Sequence, residues 1–501
     1  MPRVTIVGGG LAGMIAALRL AERGFEVDLY ESSHRLGGKA GANHHEGDWD
    51  EHGYHIFPEW YLNVWKLVDE LGIREEFLDC GDFEQLLPGQ YPNYKTLRNI
   101  TSWRYAWQNF TSGVLPFWQM VLFFYSALDL VSQSYAYRAY LDQITINGFV
   151  RSRFYRTEAV ALQFQDLMLK GISCPSTEVS AMTMRNVLRY WIQYPLPMYR
   201  ILRGDLQQHF IAPFERKLVE LGVRIHPQHL LKKLHIQDKR VSRIDLYDIG
   251  SNQQIEVEVE QLMIAIPIEK LAAMIDDELY AAAPSIGRLR SLRAKAMACL
   301  NLYFKRKLPN IPEDHVNLLR SKYGLSFIDV SQRWPGPSYK NTVLNAIASH
   351  FAPLETLSDE AAAYELFADL QQFIPEIQWD DVEKWDFQPH VLEPLFMNDA
   401  GAWHFRPDAL DDDDPLRSEL PNLYLAGDYC RSHVDLVCME GAITTGLRAA
   451  ESLRRDAGVG SEIEIKIAEI PPEWLMTLGK FALLPVAALA KLMVLLSGQR
   501  E

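Results

Sequence analysis

The sequence predicts an α/β protein: a Rossmann-like parallel-sheet domain assembled from discontinuous segments, joined to an α+β domain with a mixed sheet and helices. Three observations predict it. The apolar run Val4 to Val7 leads into glycines 8, 10 and 13 and then a small-residue helix. A second strand, Glu26 to Tyr30, ends in the acid Glu31, roughly 18 residues beyond Gly13, as a ribose-binding strand does. Finally, 501 residues exceed what one simple core accommodates, so two intertwined domains are expected.

Each opening element has a physical reason. Val4 to Val7 is continuous enough to be a strand buried on both faces, and Leu11 to Arg23 has a helical pattern in which Ala12, Ala16 and Ala17 allow close packing on a sheet. Gly8 permits a tight turn, Gly10 lets the backbone approach a pyrophosphate, and Gly13 lets helix and strand touch. The helix N-terminus then points free N–H groups at phosphate oxygens. Glu31 is placed for the adenosine ribose hydroxyls. The next segment, Glu31 to Lys39, adds Arg35, Gly37, Gly38 and Lys39. Its glycines allow a second close backbone approach, and its cations are placed to neutralise the pyrophosphate or neighbouring carboxylates. This longer cradle suits FAD better than NAD, and no second glycine fingerprint for a separate NAD(P)H domain occurs along the chain.

Further on, Val114 to Val131 is apolar and rich in aromatics, preceded by Trp103, Tyr105, Trp107 and Phe110. Pro116, Gln119 and Asp129 make it a poor membrane span; it is either a core helix or tunnel lining, or an apolar region through which a lipid-dissolved substrate is drawn. Gly204 to Leu206 opens a helix toward a strand at Val223 to Ile225, and Ala294 to Lys305 ends in the alternation of a strand. The acidic run Asp411 to Asp414 is a solvated loop. After Pro471 and Pro472, Trp474 to Leu496 is almost wholly apolar, with Pro485 inside it and only Lys480 and Lys491 charged. Those lysines stand about three helical turns apart, on one face with Glu473 and Thr477. The stripe suits a helix lying in a membrane interface with its lysines reaching headgroups. A spanning anchor and packing on the protein's own body are the alternatives.

The arrangement resembles the flavin-dependent amine oxidase and phytoene desaturase superfamily. The run Gly47 to Phe57, with Tyr61 to Asn63 and Leu71 to Ile73, is most similar to the plant and cyanobacterial type of phytoene and zeta-carotene desaturases. Leu262 to Pro267, Asn422 to Tyr429, Met439 to Ala442 and Gly446 resemble later motifs of the same group, whereas residues 85 to 200 match little. The resemblance implies an FAD-binding domain of the glutathione-reductase type. It assigns Ala12, Glu31, Ser32 and Lys39 to the adenosine and phosphate half, and His55, Ile56 and Tyr61 to the flavin side. Leu231, where the group often has valine, would meet adenine. Asp428, after Gly427, would receive a ribitol or phosphate-side hydroxyl, and the backbone at Met439 would meet the ring, its helix dipole favouring the anionic reduced flavin. Some amine oxidases attach FAD through a cysteine before the Gly-Asp motif; Phe396 to Gly401 has none, so FAD is expected to be non-covalent.

The implied domain pieces are 1–85, 203–275 and 415–457 for FAD and 86–202 and 276–414 for substrate, with 458–501 a linker and an apolar membrane-associating helix. Apolar content of 48% and charged content of 23% describe an ordinary globular chain. A net charge of −15 argues against a nucleic-acid partner. Five scattered cysteines without a Cys-x-x-Cys pair point to a reducing compartment and no metal site. A first strand so near the start leaves no room for a signal peptide, giving a cytoplasmic, peripherally membrane-associated expectation.

The implied reaction is removal of hydride from a lipophilic carotenoid-like polyisoprenoid to install a double bond, with quinone or another acceptor taking the electrons. No catalytic base is assigned. His55 is the one candidate side chain, and it reads equally as a packed core histidine. Polyene isomerisation, dehydroxylation of a hydroxysqualene-type precursor, amine oxidation and a non-enzymatic membrane-associated flavoprotein remain alternatives on the same scaffold.

Overall fold

The computed structural model describes residues 1–45, 48–51, 53–336, 339–389 and 394–498. Gly47 and His52 of the motif above lie outside them. Five short strands form a parallel sheet in the order Leu423–Leu425, Gln261–Ile264, Arg3–Val7, Glu26–Tyr30, Arg224–His226. Its three inner members, Gln261–Ile264, Arg3–Val7 and Glu26–Tyr30, are buried along nearly their whole length because helices cover one face, and Leu231, Leu234, Ile244 and Leu246 of an antiparallel ribbon, with Ile268 and Leu271, cover the other. The first helix runs Leu11–Ala21, ending two residues before the expected Arg23 because Gly24, at φ +82°, turns the chain out of the helical region. An antiparallel ribbon of three strands, His229–Gln237, Arg240–Asp248 and Gln253–Glu258, is inserted beside this sheet.

A seven-stranded mixed sheet forms the second layer, in the order Val382–Pro389, Ala298–Phe304, Val343–Ala348, Leu325–Asp329, Val316–Leu318, Phe83–Leu86, Lys95–Leu97. The strand expected within Ala294 to Lys305 is two: Ala294–Lys295 pairs with Leu395–Phe396, and Ala298–Phe304 enters the large sheet. Alternation sets its two faces. Leu300, Leu302 and Phe304 pack on Leu366, Phe367 and Leu370 of the helix Asp359–Phe373. Cys299, Asn301 and Tyr303 point the other way.

Helices Trp103–Thr111, Phe117–Val131, Glu158–Ile172 and Ala181–Gln193 make up the middle of the chain. Phe117–Val131 is the expected apolar helix, and it is a core helix: Met120, Leu122 and Phe123 are buried, and so are Gln119 and Asp129. Polar groups survive there because they are paired. Gln119 accepts from the Thr157 hydroxyl at 2.6 Å, and Asp129 accepts from the Tyr155 hydroxyl at 2.7 Å and pairs with Arg153 at 3.0 Å.

The last helix, Glu473–Leu496, corrects one expectation. Its polar stripe faces the protein, not a headgroup layer. Lys480 pairs with buried Asp129 at 2.6 Å, and Lys491 donates to the Arg156 carbonyl at 2.9 Å. Glu473 accepts from the Tyr135 backbone N–H at 2.7 Å and the Ser134 hydroxyl at 3.0 Å and pairs with Arg189 at 3.3 Å. The helix therefore lies back along Phe117–Val131, held by its few polar side chains. What remains outside is apolar: Trp474, Leu478, Phe481, Leu489, Leu492 and Leu496 are exposed, Trp474 by 68% and Phe481 by 63%. By length and composition it is long and apolar enough to cross a membrane.

Because Lys480 completes the partners of a buried carboxylate, Lys480→Met is expected to weaken this docking by about 1–2 kcal/mol, since Arg153 and Tyr155 still hold Asp129. Hydrogen exchange at the amides of residues 473–496 should quicken about tenfold while the parallel sheet is unaffected. Equal exchange in both proteins would remove the ion pair from the account.

Candidate functional site

The site begins where Arg3–Val7 ends. Gly8 has φ +111°, and a Cβ there would meet the Ala265 carbonyl oxygen at 2.4 Å. On Gly13 a Cβ would lie 1.9 Å from the Gly8 carbonyl oxygen, so the first helix touches its own strand backbone to backbone. Gly10 differs: it is the N-cap in extended conformation, and a Cβ there would have nothing nearer than Gly38 Cα at 4.0 Å. Its surroundings are open toward the helix N-terminus, as a phosphate cradle requires.

The second glycine loop folds onto the first. The Gly37 N–H donates to the Gly9 carbonyl at 2.8 Å, and Gly38 lies over Gly10. Glu31, buried at the end of its strand, accepts from the Gly9 N–H at 2.7 Å, the Ser33 N–H at 2.7 Å and the Ser32 hydroxyl at 3.1 Å. Ser32 and Glu31 thus stand together beside the cradle. Arg35 braces the loop through Asn43 Oδ1 at 2.9 Å and the Leu36 and Gly38 carbonyls at 3.3 Å. Lys39 pairs with Glu269 at 3.4 Å and donates to the Pro394 carbonyl. Ala12 is buried in the first turn, beneath the Met439 helix. Leu231 is buried in an apolar cluster with Val7 and Tyr30.

The far wall comes from the end of the chain. The helix Met439–Ala457 lies on the first helix so closely that a Cβ on Gly446 would meet the Ala12 carbonyl at 2.3 Å. Gly427, at φ +145°, is clasped by Thr445: its N–H donates to the hydroxyl at 3.1 Å, and the hydroxyl donates to its carbonyl at 2.9 Å. Cys438 caps the helix by accepting from the Gly441 N–H at 3.3 Å. Its thiol adjoins the buried Tyr61 hydroxyl, which burial holds well above its ordinary pKa. Tyr61 and Met439 are thereby brought to one place. Asp428 precedes Tyr429, whose buried hydroxyl finds no partner among the described residues, as is true of Glu269 Oε2 nearby. Lys39, Glu269, Tyr429 and Asp428 converge on the seam between the two glycine loops and the Gly427 turn.

His55 and Ile56 are half-buried, and Ile56 packs with Tyr303, Ile328 and Val343 of the seven-stranded sheet. His55 Nδ1 stands 3.6 Å from the Glu51 carboxylate, which also accepts from the Leu206 N–H at 2.5 Å. Burial raises the Glu51 carboxyl. Phe57 joins Arg200 through backbone hydrogen bonds of 2.8 and 2.9 Å.

Several side chains of the site have roles that the sequence does not reveal. Glu440 is 1% exposed and accepts from the Asn63 N–H at 3.0 Å, the Asn63 amide at 2.8 Å and the Val64 N–H at 2.9 Å. It caps the helix Leu62–Leu71 from inside another helix. Burial pushes its carboxyl up to about 7. Arg406, also buried, pairs with Asp435 and donates to the Tyr429 carbonyl at 2.9 Å and the Cys430 carbonyl at 2.7 Å, fixing the loop after Asp428. Only contact across the fold shows these roles.

Two helix N-termini, open space at Gly10 and orphaned polar atoms on Tyr429 and Glu269 fit a dinucleotide bearing a polar ring at its far end. The flavin containing amine oxidoreductase family matches residues 11–454. A 15-cis-phytoene desaturase from Synechococcus elongatus is 25% identical, with 90% of this chain and 95% of its own length covered. A zeta-carotene desaturase from Synechocystis is 21% identical, with 90% of this chain and 97% of its own length covered. Among solved structures, cyclohexylamine oxidase from Brevibacterium oxydans has a TM-score of 0.61 at 14% identity, with 91% of this chain and 99% of that one covered; this is a likeness of fold.

The glycines separate folding from binding. Gly13→Ala forces a backbone clash and is expected to lower stability by more than about 2 kcal/mol. Gly10→Ala should leave the flavin-free protein within about 1 kcal/mol of wild type, while flavin affinity drops at least about tenfold. Thermal melts and flavin titration read the two apart. Glu440 gives a pH signature. Its folded pKa lies above the ordinary 4.5, so its protonated form contributes stability that is full below that value and lost as pH rises toward about 7. Glu440→Gln loses hydrogen bonds at every pH, yet its Tm deficit should narrow by a few degrees between those limits. A deficit independent of pH would contradict the assignment.

Proposed function

The chain belongs to the flavin containing amine oxidoreductase family, and from that premise we propose that it takes hydride from a lipophilic, carotenoid-like polyisoprenoid to introduce a double bond. It is an FAD-dependent oxidoreductase with relatives of the phytoene and zeta-carotene desaturase type. The observation that carries the substrate class is the outward apolar face of the helix Glu473–Leu496. A protein acting on a water-soluble substrate has no evident use for an exposed apolar face on a helix whose polar groups are turned inward. We read that face as lying on a membrane, where such a substrate is dissolved.

FAD, held by the Gly8 to Gly13 turn, Glu31, the Gly37 loop and the Gly427 turn, supplies a two-electron acceptor when bound. The chain does the rest. The Met439 helix presents its positive end to the ring region, favouring negative charge there. Cys438, Met439 and Tyr61 close the site on one side and exclude water, and the segment Gly53 to Phe57 closes it against the seven-stranded sheet. The proton of the neighbouring carbon, acidified by conjugation with an alkene, would pass to bulk water, and quinone or another lipid-phase acceptor would take up the two electrons. His55, held by Glu51, has a positioning role in this reading.

Two measurements test the proposal. Anaerobic addition of phytoene or zeta-carotene in vesicles should bleach the bound flavin and extend the polyene's absorbance; failure of every polyene tried would overturn the substrate class. Phe481→Glu with Leu492→Glu, on the outward face, should reduce co-sedimentation with lipid vesicles by more than about tenfold without changing flavin content. Undiminished sedimentation would take the helix out of the membrane argument.

A further inference from the structure

The face of the seven-stranded sheet opposite the helix Asp359–Phe373 is unusual for a wall around a hydrocarbon. Strand register aligns its side chains in two rows. One runs Asp386, Asn301, Asn345, Ile328; the next runs Gln388, Cys299, Ile347, Ser326, Asn317, Gln85. Asn301, Asn345, Ser326, Asn317 and Gln85 are all buried. His315, just before the strand Val316–Leu318, joins them.

This face meets the flavin-side segment. A Cβ on Gly53 would meet Ile347 Cδ1 at 3.1 Å, and the Tyr54 N–H donates to Asn345 Oδ1 at 3.4 Å. The Tyr54 hydroxyl reaches Ser326 Oγ at 3.3 Å and His315 Nδ1, while His315 Nε2 donates to Asn317 Oδ1 at 2.9 Å. Burial lowers the His315 pKa to about 4, so the ring is neutral and both its nitrogens are used. The amide oxygens of Asn345 and Asn317 are therefore satisfied internally. The donor side of the cluster is not. Among the described residues the side-chain N–H groups of Asn345, Asn317 and Gln85 have no acceptor. The residues are buried, yet these nitrogens are not sealed from open space, so three donors on one face are free to meet an acceptor from outside the chain.

We propose that this face binds an uncharged oxygen function, a hydroxyl or carbonyl, on the isoprenoid substrate. The inference rests on the isoprenoid reading and narrows it. The amide donors supply hydrogen bonds without net charge, so a carboxylate or phosphate gains little there, and an amine offers more donors where acceptors are needed. Ile347, Ile328, Val343 and Tyr303 on the same face serve the hydrocarbon remainder. Such a wall selects by contrast: a chain without the oxygen leaves the amides unpaired and binds less well.

The test uses full-length, FAD-loaded protein in detergent micelles, with equilibrium binding read from tryptophan fluorescence. Two matched pairs serve as probes: phytoene with its terminal hydrate, and squalene with hydroxysqualene. In at least one pair the oxygenated member should bind about tenfold more tightly, the worth of one uncharged hydrogen bond to a buried partner. Asn345→Leu should bring the two members within about twofold while leaving hydrocarbon affinity unchanged. Gln85→Met, of matching shape, makes the same test should the first variant not fold. Equal binding within both wild-type pairs, or a preference that survives both substitutions, overturns the inference and leaves the isoprenoid reading standing. If none of the four probes binds, the isoprenoid reading fails and takes this inference with it.

Discussion

Two helices from opposite ends of the chain must bring their N-termini to one space, and they do so by backbone contact. Gly13 sits on the Gly8 carbonyl, and Gly446 sits on the Ala12 carbonyl. A single methyl at either glycine meets a backbone carbonyl oxygen, which can move only with its strand or helix. This packing aligns both positive helix ends with one face of the parallel sheet. The remaining wall follows: Thr445, one residue before Gly446, clasps Gly427, and Glu440, one and a half turns earlier, holds the start of Leu62–Leu71. The Met439 helix is thus a clamp with three faces, and the Tyr61 side of the site is positioned by it.

That hierarchy explains what could be read from sequence. The glycine turn, Glu31, the loop through Lys39 and the Gly427 turn are local: each needs particular residues at fixed spacing, and the structure brings them around one cradle. Glu440 and Glu51 stand inside recognisable motifs, but the Asn63, Val64 and Leu206 N–H groups they hold are remote in the chain, as are the carbonyls that Arg406 holds, so spacing does not reveal these roles. The polar sheet face was hidden for a different reason. In Ala298–Phe304 the alternation of Cys299, Asn301 and Tyr303 with leucines is an ordinary strand signature, and only the register with Asn345 and Ser326 shows that the polar residues form one surface.

The final helix shows how a correct pattern can carry the wrong sign. Glu473, Lys480 and Lys491 share a face, as periodicity requires, and a polar face normally marks the solvent side. Here a buried aspartate on Phe117–Val131 reverses the rule. Asp129 pairs with Arg153 and takes Lys480 as a second cation, and the helix turns its charges inward. Asp129, which makes Phe117–Val131 a poor membrane span, is the residue that directs the apolar face of its neighbour outward.

These two surfaces belong to one physical problem. A lipid-dissolved chain gains little by leaving a bilayer for an apolar cavity, because both environments relieve the same hydrophobic penalty. Apolar lining alone therefore gives an enzyme of this kind weak retention and almost no register along a repetitive isoprenoid. A hydrogen bond is different: an oxygen function lacks partners in hydrocarbon, so its free energy falls when buried donors receive it. On the isoprenoid reading proposed above, the amides of Asn345, Asn317 and Gln85, set beside the segment that carries His55, would supply what apolar packing cannot, a fixed point that holds one carbon of a long uniform chain in register for oxidation.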